Sequence, residues 1–358
     1  MATPVTLDDL RRFTVARSLF AATTLRRALA RMGFVQADPI RAPARAQDLI
    51  LRPRVRGYRA GDLERHYESL GIEEDFFVNY GFVTATVQSL MHPRPDSRAQ
   101  RKREQLLLDF VEEHGAVHPR EVEAHFAHGS VQNYWGGSSL ATTQMLGVMH
   151  YRGLLRVARR EKGIRVYGSH RHETGPLDKA ACRARIDALV DLVVNLYAPL
   201  PGASLSYYVR RLRYATPQWE EEIPEALRRA RERLAHVRIE GVDWYWPNEE
   251  NPREARAPAT VRLLAPFDPV VHDRTRFELL WGWVYRFEAY TPTPKRKLGY
   301  YALPLLWRDR VIGWGNLAVK NGALTTHLGY VAGQPPCDRA FKGELAAELE
   351  RMRVFLGA

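Results

Sequence analysis

The feature that most constrains this chain is a recurring order of elements: three amphipathic helices followed by a short basic or aromatic hairpin. The clearest instance lies between residues 104 and 168. "EQLLLDFVEEHG" (104–115) sets Leu106, Leu107, Phe110 and Val111 at helical spacing and stops at Gly115. "HPREVEAHF" opens a second helix with Pro119 near its first turn. "SSLATTQMLGVMHYRG" (138–153) begins with serines able to cap and closes on Gly153, giving a third. "LLRVARREKGIRVYG" then alternates apolar and basic residues about "REKG", a turn whose glycine accommodates positive φ. Helix, helix, helix, hairpin is the order of a winged helix-turn-helix, in which the third helix enters a groove and the hairpin is the wing.

Residues 179–247 repeat the plan more loosely. "ACRARIDALVDLVVNLY", "SLSYYVRRLR" and "EEIPEALRRARERLAHV" read as helices and "RIEGVDWYWP" as a hairpin. The third of these helices is polar along much of its length, as a solvated or domain-bridging face is. Residues 1–60 fit a further copy with less clarity. From "ATVRLLAPFDPV" onward strands dominate, alternating around the turns "RDR" and "KNG", before the closing helix "DRAFKGELAAELERMRVF". The connections "MHPRPDSRAQRKR" (91–103) and "PNEENPREARAPA" (247–259) are proline-rich and polar or basic, as exposed seams are. These seams divide the chain into 1–95, 96–176, 177–250 and 258–358. The fold class expected is α+β, with tandem winged helix-turn-helix modules ahead of a C-terminal β-rich domain.

At 358 residues the chain is too long for one ordinary core. Hydrophobic residues at 45% with 26% charged describe a globular protein. No run of about 18 apolar residues exists, so no membrane span is expected. The start "MATPVTLDDLRRF" has charges where a signal peptide has an apolar stretch, so the expected location is the cytoplasm, at the nucleoid. Cys182 and Cys337 are far apart and have no CxxC partner, which excludes a disulfide framework and a zinc ribbon.

The balance of 53 Lys+Arg against 41 Asp+Glu, a formal +12, favours polyanions, chiefly nucleic acid. An arginine-rich genome gives the same excess, since only seven of the 53 are lysine. Distribution separates the two readings. Residues 1–60 hold twelve arginines against four aspartates, and residues 151–171 hold seven basic residues against Glu161 alone. These two segments carry more than the whole-chain excess, and that patterning points to nucleic acid.

One stretch concentrates the chemistry. "GFVQADPIRAPARAQDLIL" (33–51) carries Gln36 and Asp38 two positions apart in apolar surroundings. In an extended segment such side chains share a face, about 6.5 to 7 Å apart. Pro39 biases Asp38 away from the α region, which leaves Val35 and Ala37 for the core and turns the polar pair outward. Arg41 and Arg45 follow at positions suited to DNA phosphates. Asp-Pro is also a standard helix N-cap and first turn, and on that reading Asp38 merely caps. Pro43 counts against it, because a helix from Asp38 needs a backbone donor there; a helix starting near Pro43 fits better.

Beyond this spacing, three stretches carry a family likeness. "LARMGFVQADPIRAPARAQDLIL", "NYWGGSSLATTQMLGVMHYRGLLRVARREKGIRVYG" and "LLAPFDPVVHDRTR" with "YTPTPKRKLGYYALPLLWRDRVIGW" resemble, in order, the signatures of the winged-helix interstrand-crosslink DNA glycosylases, the YcaQ/AlkZ family. The likeness spans nearly the whole chain. It implies three tandem winged-helix modules and a C-terminal β-barrel-like domain around a DNA channel. It also implies a monofunctional, monomeric enzyme that hydrolyses the N-glycosidic bonds of alkylated purines, crosslinked ones included, in double-stranded DNA, without a metal. The family's catalytic pair falls on Gln36 and Asp38, the Gln-x-Asp form. Where many relatives carry Trp-Gly-His, this chain reads Tyr80-Gly81-Phe82.

The remaining constellations are weighed on their residues. Arg156, Arg159, Arg160, Lys162 and Arg165 cluster on the wing as a DNA-binding group or a solvated turn. Tyr134-Trp135 reads as a buried anchor or a stacking pair, and "PKRKLGYY" (294–301) as a nucleic-acid surface or core tyrosines behind a basic loop. His118, His125 and His128 lack a third ligand at metal spacing and read as structural or surface residues. No GxGxxG, GxxxxGK[ST] or GxSxG occurs, so no cofactor is expected. The competing function class is a winged-helix DNA-binding protein without catalysis, a regulator or damage-binding factor. Regulators usually dimerise, and the sequence offers no dimerisation helix.

Overall fold

The computed structural model describes residues 4–94, 101–127, 129–132, 138–172 and 177–358, and mixes helix and sheet throughout. The chain falls into two compact units. One comprises Glu64–Leu189 and Arg211–Ile223; the other takes the residues up to Leu63, Val190–Arg210 and Pro224–Ala358. Over 179–247 the expected elements are present: helices Lys179–Tyr197, Gly202–Ala215 and Ile223–Arg233, then the hairpin Ala235–Ile239 with Val242–Trp246. The third helix is laced by Arg228, which pairs with both Glu225 and Glu232.

In the unit around residues 64–189, helix Arg101–His114 buries Leu107 and Val111 on one face. Helix Pro119–Phe126 starts with proline in its first turn and a reciprocal cap, the His118 ring accepting from the Arg120 amide while Glu121 accepts from the His118 amide. The third helix runs Ala141–Arg152 and ends at Gly153, whose φ of +82° few other residues adopt. A β-carbon at Gly153 would also collide with His92 and His172. The helix N-cap falls on Leu140 and not on the serines expected to cap at 138–139. Ser138–Leu140 is a strand paired with Ser130–Gln132, and the Ala141 amide donates to the Gly129 carbonyl, so the ladder takes the place of a side-chain cap. The stretch expected as the wing is a hairpin of Leu155–Glu161 and Ile164–Ser169. Lys162 (φ +50°) and Gly163 (φ +87°) form its turn, matching the twist of the flanking strands.

The other unit draws both ends of the chain into one core. Helix Leu7–Ser18, capped by Thr6 and Asp9, contributes Val15 and, just beyond its end, Leu19; these pack with Leu264, Val270, Phe277, Tyr285, Leu306 and Val311. Buried charge is paired across the same long separations. The fully buried Arg54 meets Asp268 at 2.7 and 3.0 Å and donates to the carbonyls of Ser18 and Ile50. Arg52 pairs with the buried Glu348. Arg276 donates to the carbonyls of Tyr197, Pro269 and Val270.

The C-terminal sheet is antiparallel in the order Val261–Leu263, Leu303–Trp307, Arg310–Lys320, Ala323–Tyr330. Both expected turns occur, with positive φ at Arg308 and at Asn321–Gly322. Helix Arg339–Leu356, capped by Asp338, lays Phe341 against Trp307 and Tyr330. The expected barrel does not close among the described residues. Four strands are too few to close at ordinary strand tilt, for which about eight is typical. Between the first two strands the chain forms helix Arg274–Trp281 and irregular segments instead of further strands. No helix among the described residues is long and apolar enough to cross a membrane.

Replacing Arg54 by Ala strands the Asp268 carboxylate in the core. The expected cost is about 3–5 kcal/mol, read as a fall in the urea midpoint by circular dichroism. Adding Asp268→Asn should recover part of the loss.

Candidate active site

The segment that carries Gln36 and Asp38 is bounded by Gly33, which ends helix Leu25–Met32 at φ +68° and turns the chain into strand Phe34–Gln36. Phe34 and Val35 are buried, whereas Gln36, Ala37 and Asp38 are half-buried. Regular structure stops at Gln36 and resumes with helix Ala46–Leu51. Asp38 therefore does not cap a helix. The N-cap is Arg45, which makes no side-chain cap bond. The Asp38 carboxylate instead accepts the Ile40 amide at 2.9 Å, closing a short turn, and the Asp38 amide donates to the Gln47 side-chain oxygen at 3.4 Å. No other donor to the carboxylate is found among the described residues. Burial raises the Asp38 pKa, and the Ile40 amide offsets part of that rise. Arg41 is exposed, and the half-buried Arg45 lends its charge to the buried Asp48.

Two tyrosines share the electrostatic surroundings of Asp38, and its negative charge helps raise the pKa of each. Tyr290 is 80% exposed. Tyr301 is buried at 3%, and its hydroxyl has no hydrogen-bond partner. The loop between them is held by the Glu288 carboxylate, which accepts the amides of Lys297, Leu298 and Gly299, and by Asn316, which donates to the Leu298 carbonyl. Lys295 and Lys297 are exposed, and the Arg296 guanidinium lies 5.0 Å from the Tyr300 ring centre. Of the two tyrosines in "PKRKLGYY", Tyr300 is exposed and Tyr301 is core. Spacing within the sequence gives no sign that Tyr290 and Tyr301 belong with Asp38.

The wing arginines meet an unusual strand. In Ile72–Phe76, paired with Tyr80–Thr84, three acidic residues in succession are buried. Glu73 pairs with Arg156 at 2.6 Å, and Glu74 with Arg160 at 2.5 Å and Arg165 at 3.4 Å. The Tyr80 hydroxyl also donates to Glu74, and Asp75 holds His92 and Arg94, each at 2.8 Å. Burial alone raises all three carboxyl pKa values. At Glu74 the guanidiniums of Arg160 and Arg165 outweigh burial, and at Asp75 Arg94 and His92 do the same, so both pKa values fall. At Glu73 burial prevails and the pKa rises. Of the five wing cations, Arg156, Arg160 and Arg165 are thus bound to buried carboxylates. Arg159 makes an exposed pair with Glu161, and Lys162 is exposed in the turn.

Phe82 is buried and meets Tyr67 edge-on at 6.1 Å. His118 is a helix cap and His125 packs on Phe110 at 4.6 Å. No group of three or more His, Cys, Asp or Glu placed for a metal occurs among the described residues. His128 and Tyr134-Trp135 lie outside them.

Residues 29–355 match the family described as DNA glycosylase AlkZ-like. Among solved structures, the chain is similar to the Streptomyces sahachiroi DNA glycosylase AlkZ. Identity is 12% and the TM-score 0.65, over 99% of this chain and 98% of that one. At this identity the likeness speaks for the fold.

Replacing Glu74 by Gln leaves Arg160 half-buried without its counter-charge. A loss of about 3–5 kcal/mol is expected, with faster amide exchange across residues 155–169. Because the Glu74 pKa is depressed in the fold, its contribution is complete above the unfolded value of about 4.5 and fades as pH falls through the folded one. The gap between wild type and variant should therefore be constant near neutrality and shrink in acid.

Proposed function

The chain belongs to the AlkZ-like DNA glycosylase family, and from that premise we propose that it hydrolyses the N-glycosidic bond of N-alkylated purines in double-stranded DNA. Interstrand crosslinks are included, and an abasic site is left behind. Asp38 and Gln36 are the catalytic pair, and the enzyme acts as a monomer.

The observation that carries this reading is the state of the Asp38 carboxylate. It is half-buried, spent on no helix cap and held by one backbone amide. A carboxylate solvated so incompletely stabilises positive charge in its neighbourhood more strongly than one in bulk water. N-alkylation makes the purine cationic, so little acid catalysis is needed at the leaving group. The C1′–N bond breaks with its electron pair going to the purine, which departs neutral, and the sugar acquires oxocarbenium character. Asp38 stabilises that charge and takes a proton from the water that bonds to C1′. Gln36 orients the water through its amide but cannot deprotonate it.

Residues 101–169 and 179–246 are winged-helix modules in this reading, within the module boundaries set by the linkers. The wing's phosphate contacts fall to Arg159 and Lys162, and those of the Asp38 segment to Arg41 and Arg45. Arg156, Arg160 and Arg165 hold the wing in shape through Glu73 and Glu74.

The test is incubation with duplex DNA carrying N7-methylguanine, followed by alkali to reveal abasic sites. Wild type should give product, Asp38→Asn almost none, and Gln36→Ala an intermediate rate. Tight binding without product overturns the enzymatic reading, and the reverse order of the variants overturns the roles.

A second expectation concerns stability. A carboxyl whose folded pKa lies above its unfolded value is penalised wherever it is charged, and the penalty vanishes below both values. Asp38→Asn should therefore melt higher than wild type at neutral pH, and the advantage should disappear as pH falls below the carboxylate range.

A further inference from the structure

We propose that the cavity shared by residues 52–58 and the C-terminal helix Arg339–Leu356 binds a small amphipathic carboxylate, its charged group on Arg262 and Arg52 and its apolar body against Val55 and Val354. The site is separate from Gln36 and Asp38, neither of which lines it.

The cavity lies wholly within the unit that holds both ends of the chain. Its volume of about 360 Å³ has room for a ring system with an acidic group. The charged part of its lining comprises four guanidiniums, from Arg52, Arg56, Arg262 and Arg351, against the carboxylates of Glu348 and Glu350. Both carboxylates are committed. Glu350 is exposed and accepts from Arg353, which is not part of the lining. Glu348 is fully buried and accepts from Arg52, Arg351 and the Leu263 amide. An excess of cation therefore remains at the cavity.

Arg262 is the cation left over. It is half-buried, and its guanidinium makes one hydrogen bond, to the Val261 carbonyl at 3.1 Å, and no ion pair among the described residues. A guanidinium carries five N–H donors, and a charge drawn out of water without a counter-charge is costly. Burial depresses the Arg262 pKa; Glu348 opposes the fall, whereas Arg351 and Arg52 add to it. Arg52 is 8% exposed, and its terminal nitrogens serve Glu348 and the Leu263 carbonyl. Its Nε–H is buried with no acceptor. A carboxylate in the cavity supplies the acceptor that both arginines lack, in the paired geometry that suits a guanidinium. Much of the remaining lining is apolar: Val55, Tyr58 with Phe355 stacked on it at 6.2 Å, and Val354, which is 47% exposed. Such a surface favours a ring or short hydrocarbon and offers few side-chain partners to a sugar or a base edge.

The test is isothermal titration calorimetry of the full chain with 1-naphthoate, alongside 1-naphthamide, inorganic phosphate and undamaged duplex DNA. Wild type should bind naphthoate in a single site, and naphthamide about tenfold more weakly or worse. Arg262→Gln should weaken naphthoate binding by about tenfold, with a melting temperature unchanged or higher. Val354→Glu sets a like charge in the apolar part of the lining at an exposed position, and should weaken binding at least as much. If Arg262→Gln melts lower than wild type, Val354→Glu decides by the same criterion. No binding of naphthoate to wild type, or binding that a folded variant leaves unweakened, overturns the proposal. Phosphate that binds as tightly as naphthoate marks a simple anion site, and naphthamide that does so marks a plain apolar one; either result overturns the amphipathic ligand. Displacement of naphthoate by duplex DNA assigns the cavity to the nucleic-acid surface and overturns it as well.

Discussion

The Arg54–Asp268 pair is the constraint on which the candidate site depends. Arg54 closes the helical stretch that begins at Ala46, and that stretch supplies Gln47, the acceptor for the Asp38 amide. Asp268 lies in the segment that leads into helix Arg274–Trp281 and onward to the tyrosine loop. Every branch of this pair is satisfied: Arg54 reaches two carbonyls as well as the carboxylate, and Asp268 also accepts the Val270 amide at 3.0 Å. A buried pair of this kind contributes little net stability compared with an apolar substitute, yet is costly to break from one side. What it supplies is register. It ties the helical stretch that follows Asp38 to the segment that leads into helix Arg274–Trp281, although more than half the chain separates them in sequence.

The same bonds revise the meaning of the basic charge. Arg17, Arg52 and Arg54 contribute to the excess in the first sixty residues, but their partners are Glu250, Glu348 and Asp268. Arg156, Arg160 and Arg165 make the wing look strongly basic, but they neutralise a buried acidic strand laid down before residue 80. Local charge counting reads each segment as if its counter-ions were neighbours in sequence. The number of cations left without an ion-pair role inside the protein is correspondingly smaller than the count suggests; Arg41, Lys295 and Lys297 in one unit and Lys162 in the other are exposed.

Elements governed by local physics were legible in the sequence. Gly115 and Gly153 end helices because they adopt positive φ, and Lys162–Gly163 and Asn321–Gly322 turn hairpins for the same reason. Pro43 argues against a helix beginning at Asp38, and the chain remains irregular until Ala46, three residues beyond the start expected near Pro43. The failures are tertiary. Ser138 and Ser139 look like caps, but a strand at Ser130–Gln132 claims their backbone. The barrel-like domain implied by the family likeness stays an open sheet among the described residues, because the chain between residues 264 and 302 packs as helix and loop against the first helix. At the site, Gln36 and Asp38 could be singled out by their spacing, whereas Tyr290 and Tyr301 reach Asp38 only through the fold.

Asp38 and Tyr301 are both incompletely satisfied. The carboxylate is half-buried with one hydrogen bond, and the phenol is buried with none. Either defect alone is easily removed, by asparagine at one position and phenylalanine at the other. Local defects of this kind persist where the surrounding structure over-determines them, and here Arg54–Asp268, the Glu288 loop bonds and the shared apolar core do so. A carboxylate already satisfied by the protein has nothing left to offer a developing cation. Poor solvation of Asp38 in the resting protein is therefore the physical condition for the proposed role on a sugar that is losing its base.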